Sequence, residues 1–121
     1  MSQSNLIAKP TPTVSVQMAV YNGERFLAAT IESILEQHFT DFELVMVDDG
    51  STDRTPEILA AYAARDARIR LLNNPTRQGV SSARNRALAI AQGRYVAITD
   101  ADDLSHPSRL QSQVAFLDAH P

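Results

Sequence analysis

Residues 96–104, VAITDADDL, end an apolar run on three carboxylates: Asp100, Asp102 and Asp103. At an effective dielectric of about 20, each close pair of like charges costs about 2–4 kcal/mol before screening. Either water solvates the cluster or a cation belongs there. Hard divalent cations take carboxylate oxygens, and Mg2+ typically combines one or two carboxylates with substrate phosphates. In an Asp-X-Asp arrangement the first and third residues project to one side. Asp100 and Asp102 can therefore reach one metal, or a sugar held beside it. The same residues also form an ordinary solvated acidic turn, and an isolated Asp-X-Asp does not separate the two readings. The apolar strand in front of it favours a site.

A second acidic pair, Asp48-Asp49, also follows an apolar run. A carboxylate only accepts hydrogen bonds, so it suits a base N–H. Asp-Gly-Ser is equally good turn chemistry, with one carboxylate orienting the loop. Tyr21 either stacks on a ring or packs as a core aromatic. Glu24 reads as a first-turn helix charge or as a ligand contact. Arg84 suits a phosphate or an acidic neighbour, or is an exposed helix charge. His38, His106 and His120 have no metal-ligand spacing, although His106 lies close behind the Asp cluster. No glycine-rich phosphate loop of the Walker or Gly-X-Gly-X-X-Gly type is present. If a diphosphate binds, a metal must carry much of its charge, which gives Asp102 added weight.

These residues need a framework. The chain has 121 residues, enough for one domain with a core. Its 44% hydrophobic and 21% charged residues are ordinary for a globular chain. A net charge of −3 argues against a nucleic-acid surface. With no cysteine, disulfides, thiolate catalysis and Cys-type metal sites are excluded. No apolar run approaches the roughly 20 residues that span a bilayer. The opening MSQSNLIAKPTPT has no signal-peptide pattern and reads as a loose leader over residues 1–12, with one domain over 13–121.

Within that domain, β-branched alternation predicts a strand over 13–19. Asn22 is then placed to cap a helix whose stripe is Phe26, Leu27, Thr30, Ile31, Ile34 and Leu35, ending near His38. A second strand, 42–47, is apolar enough to be buried on both faces. The turn Asp48 to Ser51 follows, and Asp53 and Pro56 open the next helix. A short strand at 69–72 and a polar loop at 73–79 lead to an alanine-rich helix over 80–91 that can lie close to a sheet. Gly93 is its expected C-cap. A fourth strand at 94–99 leads into the Asp cluster, and Pro107 starts a last helix carrying Leu110, Val114 and Leu117. Strict β-α alternation implies an α/β fold: a mostly parallel sheet with helices on both faces. Ligands of such sheets bind beyond the carboxyl ends of the strands. Ala19-Val20-Tyr21, Asp48-Asp49 and Asp100-Ala101-Asp102 should therefore share one edge.

Four stretches taken together resemble the donor-binding half of a family-2 glycosyltransferase, the inverting group with the Rossmann-like GT-A fold. They are VSVQMAVYNGERFLAATIESILEQHFTDFELVMVDDGSTDRT, GVSSARNRAL, GRYVAITDADD and HPSRLQSQVAFLD. The resemblance implies that Ala19, Val20 and Tyr21 line a base pocket, and that Glu24 lies near base and ribose. It implies that Asp49 reads a base N–H with Asp48 in support, and that Arg84 lies near the nucleotide. It further implies that Asp100, Ala101 and Asp102 form the D-X-D motif. Asp102 would hold Mn2+ or Mg2+ on the donor diphosphate, with Asp100 on the same side; Asp103 reads as structural. The implied partners are a nucleotide-diphospho-sugar, with UDP favoured, and an acceptor glycan, lipid or other hydroxyl compound. The family's catalytic base normally comes well after the D-X-D, so it is expected beyond Pro121, in an acceptor half. Two alternatives are a truncated, non-catalytic nucleotide-binding domain and a receiver-like signalling domain. In a receiver the acidic pair follows the first strand, not the second. An uncovered sheet edge capable of self-association is expected, as is a place in the cytoplasm or at its membrane face.

Overall fold

The computed structural model describes residues 11–120. The expected leader lies outside the described residues except for Thr11 and Pro12. Eight elements alternate along the chain: β1 (Val14–Val20), α1 (Leu27–Leu35), β2 (Phe42–Asp49), α2 (Thr55–Arg65), β3 (Ile69–Asn74), α3 (Val80–Ile90), β4 (Tyr95–Ile98) and α4 (Arg109–Ala119). The strands form one sheet in the order β3-β2-β1-β4, with every pair parallel. This is the α/β architecture expected from the alternation.

Strand faces follow from the period of two. Val14, Val16, Met18 and Val20 of β1, with Phe42, Leu44 and Met46 of β2, point to one side. There they meet Leu27, Ile31 and Ile34 of α1, Leu59 and Tyr62 of α2, and Leu110 and Val114 of α4. Burying each such side chain is worth about 1.5–3 kcal/mol. Val45 and Val47 point to the other side, against Ala83 and Ala87 of α3. Those alanines let α3 lie close to the sheet, as its composition predicts. The β1-β2-β3 progression winds one way, and α3 then carries the chain back across to β4 on the far side of β1. The winding reverses between β1 and β4, and such reversals open a crevice at the carboxyl edge.

Several boundaries differ from expectation. β2 runs through Asp48 and Asp49, so these are its last rungs and not a turn. β1 is shifted by one residue, and β3 extends to Asn74. Asn22 does not cap α1, which begins five residues later with Phe26 at its N-cap. α1 ends at Leu35, short of His38. Gly93 is not a C-cap either; Ala91 holds that position. A Cβ at Gly93 would lie 2.5 Å from the Ser15 amide nitrogen, so close backbone approach requires the glycine. Pro107 precedes α4 by two residues. β4 is an edge strand whose Val96 and Ile98 are exposed on the α3 side.

Candidate functional site

The carboxyl edge of the sheet is stepped. Val20 of β1 pairs with Asp48 of β2, and Asp48 with Asn73 of β3. β4 stops earlier: Ile98 pairs with Gln17, and the Thr99 amide donates to the Gln17 carbonyl at 2.9 Å. Arg109 of α4 then donates to the Ile98 carbonyl at 2.9 Å and to Thr99 Oγ1 at 2.6 Å, turning the chain out of the sheet. β1 thus projects three residues beyond its last pairing with β4, about 10 Å of strand. The residues after β4 leave the sheet at this step, with the Ala101 carbonyl accepting from Thr30 of α1. Val20 contributes only main chain there, since its side chain belongs to the core, and Ala19 packs towards α3.

Asp48 and Asp49 point to opposite faces, as adjacent strand residues must. Both are buried. Asp49 sits on the α3 side with both oxygens engaged. Oδ1 accepts from Asn74 Nδ2 at 2.9 Å and from the Gln78 amide at 2.8 Å, and Oδ2 accepts from the Gly79 amide at 3.0 Å. Burial pushes its pKa up, but the donors from Gln78, Asn74 and Gly79, with the Arg77 charge, outweigh it and hold the carboxyl below its ordinary value. Asp48 makes one such bond, accepting the Ser51 amide on Oδ1 at 3.0 Å.

By gripping Gln78 and Gly79, Asp49 fixes the loop that carries Arg77. The Arg77 guanidinium lies over the Tyr21 ring, 4.0 Å from its centroid. Gly50 completes the arrangement at φ +75°; a Cβ there would stand 2.6 Å from the Arg77 amide nitrogen. Arg77 is the residue that sequence reasoning missed, because in a polar loop it carries no pattern of its own.

Tyr21 is partly exposed at the end of β1. Asn22, at φ +50°, accepts the Thr52 amide on its side-chain oxygen at 2.8 Å and donates its own backbone amide to Ser51 Oγ at 2.9 Å. It stitches the loop after β1 to the loop after β2. Glu24 is exposed and stands before α1, not in its first turn; its amide donates to Asp53 Oδ2 at 3.2 Å. Asp53 also accepts the Thr55 amide at 2.8 Å, but it stands one residue before the N-cap of α2, which is Arg54 and not Asp53.

The third acidic element has a different character. The Asp103 amide donates to the Asp100 carbonyl at 3.1 Å, closing a turn with Ala101 and Asp102 at its centre. Asp100, Asp102 and Asp103 are exposed, and one carboxylate oxygen from each lies within 4.8 Å of the others. Asp103, expected to be structural, therefore stands in the same cluster. Arg84 of α3 reaches across to Asp100 Oδ1 at 2.9 Å. The acidic-neighbour reading of Arg84 thus describes its geometry. One arginine against three carboxylates leaves two negative charges, and the donor set is oxygen only. Both features fit a hard divalent cation such as Mg2+ or Mn2+.

The family model described as glycosyl transferase family 2 matches residues 15–121. The chain belongs to this family. It is 49% identical over 110 residues to EpsE of Bacillus subtilis, a protein assigned as a glycosyltransferase; the match covers 90% of this chain and 40% of EpsE. It is 38% identical over 104 residues to WfgD of Escherichia coli, a UDP-Glc:alpha-D-GlcNAc-diphosphoundecaprenol beta-1,3-glucosyltransferase, covering 86% of this chain and 40% of WfgD. Among solved structures, TarS of S. aureus with UDP-GlcNAc superposes with a TM-score of 0.83 at 33% identity, over 89% of this chain and 32% of that one. The mannosyltransferase PcManGT of Pyrobaculum calidifontis, bound to GDP-Man and Mn2+, gives a TM-score of 0.81 at 33% identity, over 89% of this chain and 33% of that one. The chain thus spans about two-fifths of EpsE and WfgD. The chain is a GT-A-type α/β unit of family 2.

Proposed function

We propose that this chain forms the donor seat of a metal-assisted, inverting glycosyl transfer, taking a nucleotide-diphospho-sugar with UDP favoured. The observation that carries the reading is the clustering of Asp100, Asp102 and Asp103 within 4.8 Å beside the stepped sheet edge. In this reading Asp102 and Asp100 hold the cation, and Arg84 orients Asp100. A divalent cation there would supply Lewis-acid stabilisation of the departing diphosphate. Tyr21 offers the flat face for the base, Asp49 on the same side is the carboxylate that reads a base N–H while also fixing the loop wall, and Asp48, on the opposite face of β2, supports it. Glu24, Ala19 and Val20 border the same edge. Inversion needs a single in-line attack by an acceptor hydroxyl and a base to take its proton. No residue of this chain is assigned that role.

Support comes from relatives whose structures hold UDP-GlcNAc, or GDP-Man with Mn2+. The test is calorimetry with UDP, GDP and dTDP, each with and without Mn2+. The expected result is binding that requires the metal and is tightest for UDP. A folded chain giving no heat with any of the three would overturn the proposal.

A further inference from the structure

The central peptide of the turn over residues 100–103 has a partner of its own. Thr30, fully buried on α1, donates from Oγ1 to the Ala101 carbonyl at 2.8 Å. That hydroxyl also lies 3.2 Å from the Phe26 carbonyl, its own helix's i−4 acceptor. A threonine has one proton to give. The shorter contact assigns it to Ala101, although back-bonding along the helix is the usual local alternative. Thr30 is the first of three polar residues, two on α1 and one just past its C-terminus, that grip the same segment. Ser33 Oγ accepts the Ser105 amide at 3.0 Å. Gln37, also buried, donates to the His106 carbonyl at 2.7 Å and accepts the Leu110 amide at 3.1 Å. Only Thr30 touches the turn that carries the carboxylates.

That contact has a defined consequence. Types I and II turns share the same closing hydrogen bond and differ by a flip of the peptide between their two central residues. Here that peptide joins Ala101 to Asp102, and its oxygen is the one Thr30 holds. In type II the second central residue has φ near +80°. Asn22 is the only non-glycine residue with positive φ among those described, so Asp102 is not in that state. Aspartate tolerates positive φ better than most residues, so the local sequence alone does not forbid the flip. The methyl of Ala101 packs against the core beneath α1, which leaves the peptide plane as the free variable.

The geometry points to Thr30 as a positioning residue. Its hydroxyl locks the Ala101–Asp102 peptide in the orientation that aims the Asp102 carboxylate at Asp100 and Asp103. The metal part of this inference rests on the donor-seat reading above; the turn lock does not.

The test is solution NMR on the whole chain without metal, followed by Mn2+ uptake with UDP measured by electron paramagnetic resonance. The wild-type protein is expected to show a strong amide–amide contact between Ala101 and Asp102. Thr30→Val is expected to replace it, in part or whole, by a strong contact from the Ala101 Hα to the Asp102 amide. Mn2+ affinity should fall tenfold or more, on the order seen when a ligand's supporting hydrogen bond is removed. Thr30→Ser restores both. Ser33→Ala loosens the same segment without touching the Ala101 carbonyl and keeps the wild-type turn. If Thr30→Val does not fold, Thr30→Ala serves with the same expectation. A folded Thr30 variant with the wild-type contact pattern overturns the inference. A flipped turn in a variant of a chain that takes up no Mn2+ with UDP would uphold the lock and bring down the donor-seat reading.

Discussion

Two acidic strand ends in this protein look alike as text and differ as chemistry. Asp49 is 3% exposed and has three N–H donors on its two oxygens. Asp100, Asp102 and Asp103 are exposed on a turn, and among the described residues their only ion pair is that of Asp100 with Arg84. The first is a framework charge: three N–H donors of the protein already occupy its oxygens, and its loss leaves the Gln78 and Gly79 amides without their acceptor. The second leaves most of its acceptors open to solvent. What separates a structural carboxylate from a candidate ligand is whether its lone pairs are already committed.

The comparison can be broken most sharply at Asp49. Asp49→Ala strands the Gln78 and Gly79 amides and should cost about 3 kcal/mol in urea unfolding; a loss under about 1 kcal/mol would mean that the loop does not depend on it. Gly50→Ala attacks the same wall from the other side. It places a Cβ at φ +75° against the backbone at 76–77, and should cost about 2 kcal/mol. The pH dependence sharpens the contrast further. The folded-state pKa of Asp49 is held below its ordinary value. Its stabilisation is therefore complete above the unfolded pKa of about 3.9 and is lost as pH falls through the lower folded value. Glu43, Asp53 and Asp66 are lowered too, so the difference between wild type and Asp49→Asn isolates its share. That difference should shrink below about pH 4. The smallest effect belongs to the exposed side. Arg84→Gln removes a partly exposed ion pair and should change stability by less than about 0.5 kcal/mol. A larger loss would make the Asp100 turn framework as well.

The sequence made much of this legible, and where it failed the reasons are physical. Strand and helix order follow from periodicity, which is a local signal. The alanines at 83 and 87 announce a helix lying close to the sheet because size is also local. Asn22 misled because N-cap chemistry and cross-loop stitching use the same side-chain oxygen, and its partners Ser51 and Thr52 lie about thirty residues away. Asp48 and Asp49 read as a turn because carboxylates rarely end a buried strand; the donors that permit it come from Ser51 for Asp48, and from β3 and the loop behind it for Asp49. Gly93 reads as a C-cap because glycine commonly ends helices, but it serves an approach to Ser15 that only the folded sheet reveals. Arg77 over Tyr21 had no signature at all. Thr30 was counted in the apolar stripe of α1, and its burial agrees, but its hydroxyl works across to Ala101.

The central claim is that the uncommitted cluster, and not the buried pair, takes the cation. Its most direct test is the Mn2+ paramagnetic resonance signal titrated with wild-type protein and with Asp102→Ala, both in the presence of UDP. The wild-type chain should quench the free-ion signal at one site. Asp102→Ala should melt within a degree or two of wild type, since it removes an exposed charge, and should bind Mn2+ on the order of 100-fold more weakly. Equal Mn2+ affinity in the two proteins would contradict the account.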